Sequence, residues 1–187
     1  MKIIDKQLNG LLLFEPAVFG DERGYFYESF NSSRCNDLGI TTPFVQDNIS
    51  RSVKNTIRGL HYQVGSAAQG KLVQVLSGIV LDVAVDIRFG SPTFGKYFAA
   101  EISEENHYQL WIPPGFAHGI SVLSDEVIFS YKCTALYSKS DERAILYNDA
   151  DLNIDWKVSS PLLSPKDLLG KKFSEIEKDF FYNLEIL

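Results

Sequence analysis

The sequence predicts an all-β fold of the jelly-roll type, and three observations support this prediction. Short apolar runs with a period of two recur along the chain, most of them bounded by turn residues. In residues 79–87 the odd positions are all apolar and the even ones include Asp82 and Asp86, as in a strand with one face in a core and the other against polar groups. Helical signals are confined to two places. Many short strands at close spacing are typical of a β-sandwich or barrel.

The other predicted strands share this short, turn-bounded character and are GLLLF, GYFYESF, KLVQVLSG, YFAAEI, YQLWI, GISVL, VIFSYKCTALY and AILY. Residues 31–39 offer an Asn/Ser start and a Gly stop, which predicts one or two helical turns. Pro165 precedes apolar residues at spacings of three and four, which predicts a C-terminal amphipathic helical region over about 164–184 that lies on the barrel. We expect one domain over 1–187, with its core at about 1–156.

Composition excludes several classes of protein. The chain has 187 residues, an apolar fraction of 45% and a net charge of −6, which suits one well-packed domain and disfavours a nucleic-acid binder. Near the N-terminus the longest apolar run, residues 11–14, is too short for a signal peptide or a membrane span, so we expect a cytoplasmic protein without a membrane partner. Cys35 and Cys133 are far apart and are expected to be reduced thiols.

The densest group of reactive side chains lies between residues 44 and 73 and comprises Gln46, Asn48, Arg58, His61 and Lys71. A small barrel can enclose a ligand, and burying this much positive charge without an anionic ligand would be costly. Strict alternation places Arg58 and His61 on opposite faces of a strand. Either a bulge at Gly59 re-aims one of them, or Arg58 acts from the barrel rim.

The same segment argues against a metal site. Barrels of this shape that bind iron or manganese usually supply two histidines in an HxH pair and a nearby carboxylate. Here the corresponding residues are His61, Tyr62 and Gln63, and a cation, Lys71, stands where a carboxylate would follow. We therefore predict no metal.

Two tyrosines in the C-terminal half are further candidate site residues. Tyr131 and Tyr137 share a parity, so that in one strand both phenols would point to the same face. They either fill a β face or provide a proton donor, Tyr131, beside an aromatic platform, Tyr137.

Eight segments of the chain resemble, in order, successive blocks of the dTDP-4-dehydrorhamnose 3,5-epimerase family, and they cover residues from about 15 to 170. The most specific are RGLHYQ, QGKLV and PPGFAHG; the others are DERGYFYESF, FVQDNISRS, SPTFGKY, YKCTALY and YNDADLNIDW. The resemblance implies a cupin-like jelly roll that inverts C3 and C5 of dTDP-4-keto-6-deoxy-D-glucose without a metal or redox cofactor.

The resemblance also implies roles for individual residues. His61 is the base, oriented by the carboxylate of Asp167; Tyr131 is the proton donor for the opposite face, and Lys71 stabilises the enolate. Arg58 and Arg23 hold the diphosphate, and Tyr137 stacks on the thymine with Phe19 opposite it. The other ligand-contact positions are Glu28, Gln46, Asn48, His118, Glu142 and Lys166. The family implies a homodimer in which the Arg23 segment reaches into the partner's site.

Three alternatives stay open at this point. The scaffold could invert only C3 or only C5 of a related dTDP-4-keto sugar. It could be a sugar-nucleotide binding module without catalysis, but that interpretation would favour replacement of His61, Tyr131 or Lys71, and all three are present. A metal-dependent cupin would require the HxH pair and carboxylate that the sequence lacks.

Overall fold

The computed structural model describes residues 2–182, and β-strands dominate it. The strands, in chain order, are β1 (Lys2–Gln7), β2 (Leu11–Glu15), β3 (Val18–Asp21), β4 (Gly24–Tyr27), β5 (Gln46–Val53), β6 (Ile57–Gln63), β7 (Lys71–Ser77), β8 (Ile79–Asp86), β9 (Tyr97–Ser103), β10 (Gln109–Ile112), β11 (Phe116–Val122), β12 (Glu126–Cys133) and β13 (Glu142–Ala144). Helix α1 spans Ser32–Asp37, and single-turn 3-10 helices occur at Gly65–Ala67, Asp167–Leu169 and Phe173–Glu175.

Two antiparallel sheets pack face to face. One has six strands in the order β1-β2-β10-β7-β12-β5, and the other has five in the order β13-β6-β11-β8-β9. Strands β3 and β4 form a separate hairpin. Sequence neighbours such as β7 and β8 lie in different sheets, as in a jelly roll. The predicted all-β fold is thereby confirmed.

Three apolar clusters hold these layers together. The largest lies between the sheets and draws residues from both, for example Val73 and Phe129 from one sheet and Ile120 from the other. A second covers the outer face of the five-stranded sheet with residues from 145 to 180, including Trp156. The third packs α1, through Cys35, on the outer face of the six-stranded sheet. Each sheet is therefore covered on both faces.

The alternating segment 79–87 forms β8 as predicted, but both of its faces are buried. Val83 and Val85 pack under the C-terminal segment, whereas Ala84 faces the barrel interior. Asp82 and Asp86 share that interior face and are fully buried. The polar half of the alternation therefore marks the inside of the barrel, because the C-terminal segment covers the apolar half.

The two predicted helical regions differ in outcome. Helix α1 forms where predicted, and the Asn31 side chain caps it by accepting a hydrogen bond from the Arg34 backbone N–H at 3.2 Å. The helical character predicted for 164–184 is limited to the two 3-10 turns at Asp167–Leu169 and Phe173–Glu175, and residues 183 and 184 lie outside the described part. The apolar residues of this segment cover the barrel in an irregular path. Within residues 2–182 there is no helix with the length and hydropathy needed to span a membrane.

Candidate active site

A cavity of about 390 Å³ opens between the two sheets. All the predicted site residues line it except Phe19, Arg23 and Glu28. Its volume falls within the range of small-molecule sites. The structure thus brings the reactive cluster of residues 46–71 together with residues from 118 to 167 that are distant in sequence.

The cavity has two chemically different walls. Lys71 on β7 and Tyr131 on β12 belong to the six-stranded sheet. His61 on β6 and His118 on β11 belong to the five-stranded sheet, where they are direct cross-strand partners. A ligand between the sheets is consequently flanked by imidazoles on one side and by a phenol and an ammonium on the other.

A bulge at Gly59 allows Arg58 and His61 to line the same cavity. In the pairing of β6 with β11, Arg58 lies opposite Ile120 and His61 opposite His118, so that β6 has one extra residue. Gly59 has φ of 129°, and a Cβ atom there would lie 2.5 Å from the Cα of Gly119. The glycine is required for this close approach. Arg58 remains exposed, so the predicted bulge and the predicted rim position both occur.

His61 faces a buried carboxylate. Its Nε2 lies 2.6 Å from Oδ1 of Asp167, within ion-pair distance, although the ring N–H is not aligned for a regular hydrogen bond. Asp167 is only 3% exposed. Because Nε2 faces Asp167, Nδ1 is the ring nitrogen left for a ligand in the cavity.

Local contacts hold the Asp167 carboxylate in place. The Ser164 hydroxyl donates to Oδ2 at 2.6 Å, and the Gly59 backbone N–H donates to Oδ1 at 3.4 Å. Burial by itself would raise the pKa of Asp167, but the contacts with His61, Ser164 and Gly59 outweigh it and lower the pKa to about 2. The carboxylate is therefore ionised at neutral pH and is a fixed anion beside the imidazole.

Lys71 brings an ammonium group into the cavity. Within residues 2–182 no carboxylate lies within ion-pair distance of its Nζ. Burial lowers the pKa of Lys71 from its ordinary 10.5, and the attraction of Cys133, Asp82 and Glu142 only partly opposes this. An unpaired ammonium in such a site is suited to a ligand that carries or develops negative charge.

The two tyrosines do not share a strand, because β12 ends at Cys133. Tyr131 lies on β12, half-buried against Phe129, and burial raises the pKa of its phenol, which is therefore protonated at neutral pH. Tyr137 lies beyond the strand at the cavity mouth and is 51% exposed. Its hydroxyl donates to Glu142 at 3.0 Å, and Glu142 also pairs with Lys166.

Two further polar contacts complete the cavity. On β5, Gln46 donates to the Asn48 side chain at 3.0 Å. His118 has its Nε2 at 3.0 Å from both carboxylate oxygens of Asp82. Together the cavity offers an imidazole beside a fixed carboxylate, a facing phenol, an unpaired ammonium and a cationic rim at Arg58. These groups can remove a proton next to a carbonyl, stabilise the enolate and return a proton from the other side.

Comparison with known proteins gives the family. A family model described as dTDP-4-dehydrorhamnose 3,5-epimerase matches residues 5–175. The Shigella flexneri dTDP-4-dehydrorhamnose 3,5-epimerase is 54% identical over 97% of this chain and 99% of that protein. A Legionella pneumophila dTDP-6-deoxy-D-glucose-3,5-epimerase, solved in complex with dTDP-4-keto-L-rhamnose, is 51% identical with a TM-score of 0.94, covering 97% of this chain and 98% of that one. A Bacillus anthracis dTDP-4-dehydrorhamnose 3,5-epimerase with TDP and pyrophosphate bound is 45% identical with a TM-score of 0.90, over 91% and 98%.

This chain belongs to the dTDP-4-dehydrorhamnose 3,5-epimerase family. The predicted resemblance, fold and enzyme class are thereby confirmed.

Three residues predicted from the epimerase resemblance lie away from the cavity. Phe19 and Arg23 belong to the β3–β4 hairpin, where Phe19 is 66% exposed and Arg23 pairs with Asp21 at 2.5 Å. Glu28 follows the hairpin and pairs with Arg34 at 2.8 Å. Exposed aromatic residues on this hairpin, Tyr25 and Phe26 among them, leave it without cover in the single chain.

Some residues that line the cavity or lie behind its walls were not predicted from the sequence. Asp82, the partner of His118, could have been found only by knowing that the polar half of β8 faces the interior. Ser164 had a usable signal, since Ser164 and Asp167 have the spacing of a capping box, and the Asp167 N–H also lies 3.3 Å from the Ser164 hydroxyl. Gln63 and Gln69 also line the cavity.

The donor groups offer little to a metal. Among residues 2–182 no group of three or more His, Cys, Asp and Glu side chains is arranged to hold a metal ion. Both cysteines are free thiols and buried, and Cys133 lines the cavity.

The lowered pKa of Asp167 has a consequence for acid stability. Its folded pKa of about 2 lies below the ordinary 3.8, so the stabilisation is complete above pH 4 and is lost as the pH falls through 2. Over that window the wild type should lose about 2 kcal/mol more free energy of unfolding than Asp167→Asn, at 1.36 kcal/mol per pKa unit. Denaturant unfolding between pH 2 and pH 7 measures this. The exposed Asp125→Asn should follow the wild type, and parallel curves for Asp167→Asn would contradict the assignment.

Proposed function

We propose that this chain converts dTDP-4-dehydro-6-deoxy-D-glucose to dTDP-4-dehydro-L-rhamnose by inverting C3 and C5, as a step in dTDP-L-rhamnose biosynthesis. The observation that carries the proposal is the placement of His61 and Tyr131 on opposing walls of one cavity, with Lys71 beside Tyr131's strand. Inversion requires a base on one face of the sugar and an acid on the other, and the two sheets supply them separately.

Each inversion proceeds through an enolate. His61 takes the proton from the carbon next to the C4 ketone, the electron pair moves onto the C4 oxygen, and the Lys71 ammonium stabilises the charge that develops there. Tyr131 then donates its phenolic proton to the opposite face of the carbon, and the C4 ketone re-forms. Asp167 stabilises the imidazolium of His61 and holds the ring orientation. The same groups act at C3 and at C5, because both carbons flank the ketone.

The nucleotide occupies the cavity mouth. Arg58 and Lys166 are exposed cations at the rim, suited to a diphosphate. Tyr137, half exposed beside them, presents a ring on which the thymine stacks. The contacts of Gln46, Asn48, His118 and Glu142 with the substrate follow from their positions in the cavity lining. A cytoplasmic location stays a prediction from the sequence.

Proton NMR in deuterated water, with dTDP-4-dehydro-6-deoxy-D-glucose and no added metal, tests the proposed function. Deuterium should enter at both C3 and C5. Exchange at only one carbon would identify a mono-epimerase, and binding without exchange would identify a sugar-nucleotide binding module.

Tyr131→Phe separates the second proton transfer from the first. Loss of the phenolic proton should lower kcat by about 10²–10³, within the range for a general acid, while deuterium still washes into recovered substrate because His61 is intact. Steady-state kinetics and NMR of the unreacted sugar measure the two effects. Tyr108→Phe, which alters a tyrosine packed on the interior cluster outside the cavity lining, should retain wild-type rates. A Tyr131→Phe enzyme in which wash-in also vanishes would rule out the donor role.

The proposal includes a homodimer in which the β3–β4 hairpin completes the partner's site with Phe19, Arg23 and Glu28. Its exposed aromatic residues and the distance of Arg23 from the chain's own cavity lining support this. Arg23→Ala and His61→Ala should each be nearly inactive, but random mixing should restore about a quarter of wild-type activity, since half the dimers then hold one intact site. Activity of refolded mixtures measures this, and no recovery would indicate that Arg23 acts within its own chain.

A further inference from the structure

The segment that carries Tyr137 lies outside both sheets, between the end of β12 at Cys133 and the start of β13 at Glu142. Side chains hold much of this segment in place. The Tyr137 backbone N–H donates to the Gln46 side-chain oxygen at 2.9 Å, and the Thr134 hydroxyl accepts from the Gly70 backbone N–H at 2.8 Å. The position of the Tyr137 ring therefore depends on side-chain contacts rather than on a β-ladder.

Gln63 makes two side-chain hydrogen bonds to this segment. Its amide nitrogen donates to the Ser138 carbonyl at 3.0 Å, and its amide oxygen accepts from the Ser138 backbone N–H at 2.8 Å. The side chain thus pairs with the Ser138 main chain in both directions, as a neighbouring strand would. Gln63 is 5% exposed, and loss of its amide would leave the backbone N–H and C=O of Ser138 without these hydrogen-bond partners.

A second glutamine acts on the other side of Tyr137. Gln69 donates from its amide nitrogen to the Ala135 carbonyl at 2.8 Å. Gln63 follows His61 in the RGLHYQ segment, and Gln69 precedes Lys71 in the QGKLV segment. Neither glutamine takes part in a proposed catalytic step. Their hydrogen bonds reach the chain on either side of Tyr137, at Ala135 and Ser138.

We propose that Gln63 and Gln69 are positioning residues that hold Tyr137 in place for the base of a nucleoside diphosphate sugar. They act on nucleotide affinity and leave the proton transfers at His61 and Tyr131 untouched. This inference rests on the proposed stacking role of Tyr137. Its physical basis is that a ring on a restrained segment loses little conformational freedom when a base stacks on it.

Binding of dTDP alone gives the first test, because it requires no turnover. Gln63→Leu should weaken dTDP binding in calorimetry by about tenfold, within the 1–3 kcal/mol that base stacking contributes. KM for the sugar nucleotide should rise by a similar factor, with kcat within about twofold of wild type. Gln69→Ala, which removes one hydrogen bond, should shift both quantities in the same direction by a smaller factor. Ser124→Ala removes a side-chain contact to the Glu126 carbonyl far from the cavity and should leave dTDP affinity unchanged.

A double-mutant cycle with Tyr137→Ala separates positioning from a general structural effect. In the Tyr137→Ala background Gln63→Leu should have almost no further effect on dTDP affinity, because the ring it positions is gone. An undiminished effect in that background, or a fall in kcat at unchanged dTDP affinity, would overturn the inference. Thermal melts verify folding, and if Gln63→Leu does not fold, the Gln69→Ala cycle decides. Failure of the wild type to bind dTDP would instead refute the proposed function itself.

Discussion

His61→Ala is expected to abolish epimerisation at both C3 and C5 while leaving dTDP binding nearly unchanged. Among the described residues both cavity imidazoles face a buried carboxylate, Asp167 at 2.6 Å for His61 and Asp82 at 3.0 Å for His118, but the His61 side chain is 24% exposed and that of His118 only 10%. General-base catalysis contributes about 10²–10⁴ in rate, and we expect no rescue by His118, because its more deeply buried ring is less accessible to the sugar. Both turnover and deuterium wash-in should therefore fall by at least about 10².

Calorimetry with dTDP provides the internal control for this variant. The proposed nucleotide contacts, Arg58, Tyr137 and Lys166, lie at the cavity mouth and do not depend on His61 for their placement. Unchanged dTDP affinity with lost wash-in assigns His61 to proton removal. Near-normal turnover in His61→Ala would exclude the mechanism.

Lys71→Met is expected to make the protein more stable and much less active. Burial lowers the pKa of Lys71, which means that folding disfavours its charged form. Methionine fills a similar volume without that cost, so a gain of about 1 kcal/mol in free energy of unfolding would raise Tm by roughly 2–4 °C for a chain of this size. Loss of the charge that we propose stabilises the enolate should lower kcat by about 10²–10³.

The gain in stability should depend on pH in a defined direction. The folded pKa of Lys71 lies below 10.5, so the ammonium destabilises the fold fully at pH values below that folded pKa. The penalty disappears as the pH rises through the folded pKa towards 10.5, because both states are then neutral. The Tm difference between Lys71→Met and wild type should therefore be largest below the folded pKa of Lys71 and shrink as the buffer is made more alkaline.

Lys132→Met is the matched control. Lys132 lies on the adjacent strand and pairs with Asp47 at 2.8 Å, with its ammonium over the Phe30 ring outside the cavity. Its replacement should leave kcat unchanged and bring no gain in Tm. Equal stabilisation by both variants, or full activity of Lys71→Met, would show that Lys71 is not an unpaired functional cation.

Much of this arrangement follows from local properties of the chain. Alternation identified β8, and the Asn31 cap and Gly39 marked α1. The three-residue spacing of Arg58 and His61 with Gly59 between them predicted either a bulge or a rim position of Arg58, and the structure has both. These features are readable because they depend on neighbours within a few residues. The reactive cluster at 46–71 was visible for the same reason.

The conformation of the C-terminal segment could not be predicted from local sequence. Spacings of three and four predicted a helix, but residues such as Phe173 and Phe180 cover the five-stranded sheet from an irregular path with two 3-10 turns. Packing against the five-stranded sheet decided the conformation, since partial burial of these rings outweighs a weak helical propensity. Tyr137 was similarly misplaced, because the end of β12 is determined by its pairing with β5 and β7.

The sequence by itself determined the fold class and the family and predicted the residues that we propose to react, because strand alternation and family motifs are properties of short segments. Only the tertiary structure decided that His61 and Tyr131 stand on opposing sheets, that Asp82 contacts His118, and that Gln63 and Gln69 hydrogen-bond to the chain on either side of Tyr137. The physical reason is that these relations join residues 36 to 75 positions apart, and pairing of the sheets and burial of the cavity walls, rather than local propensity, bring them together.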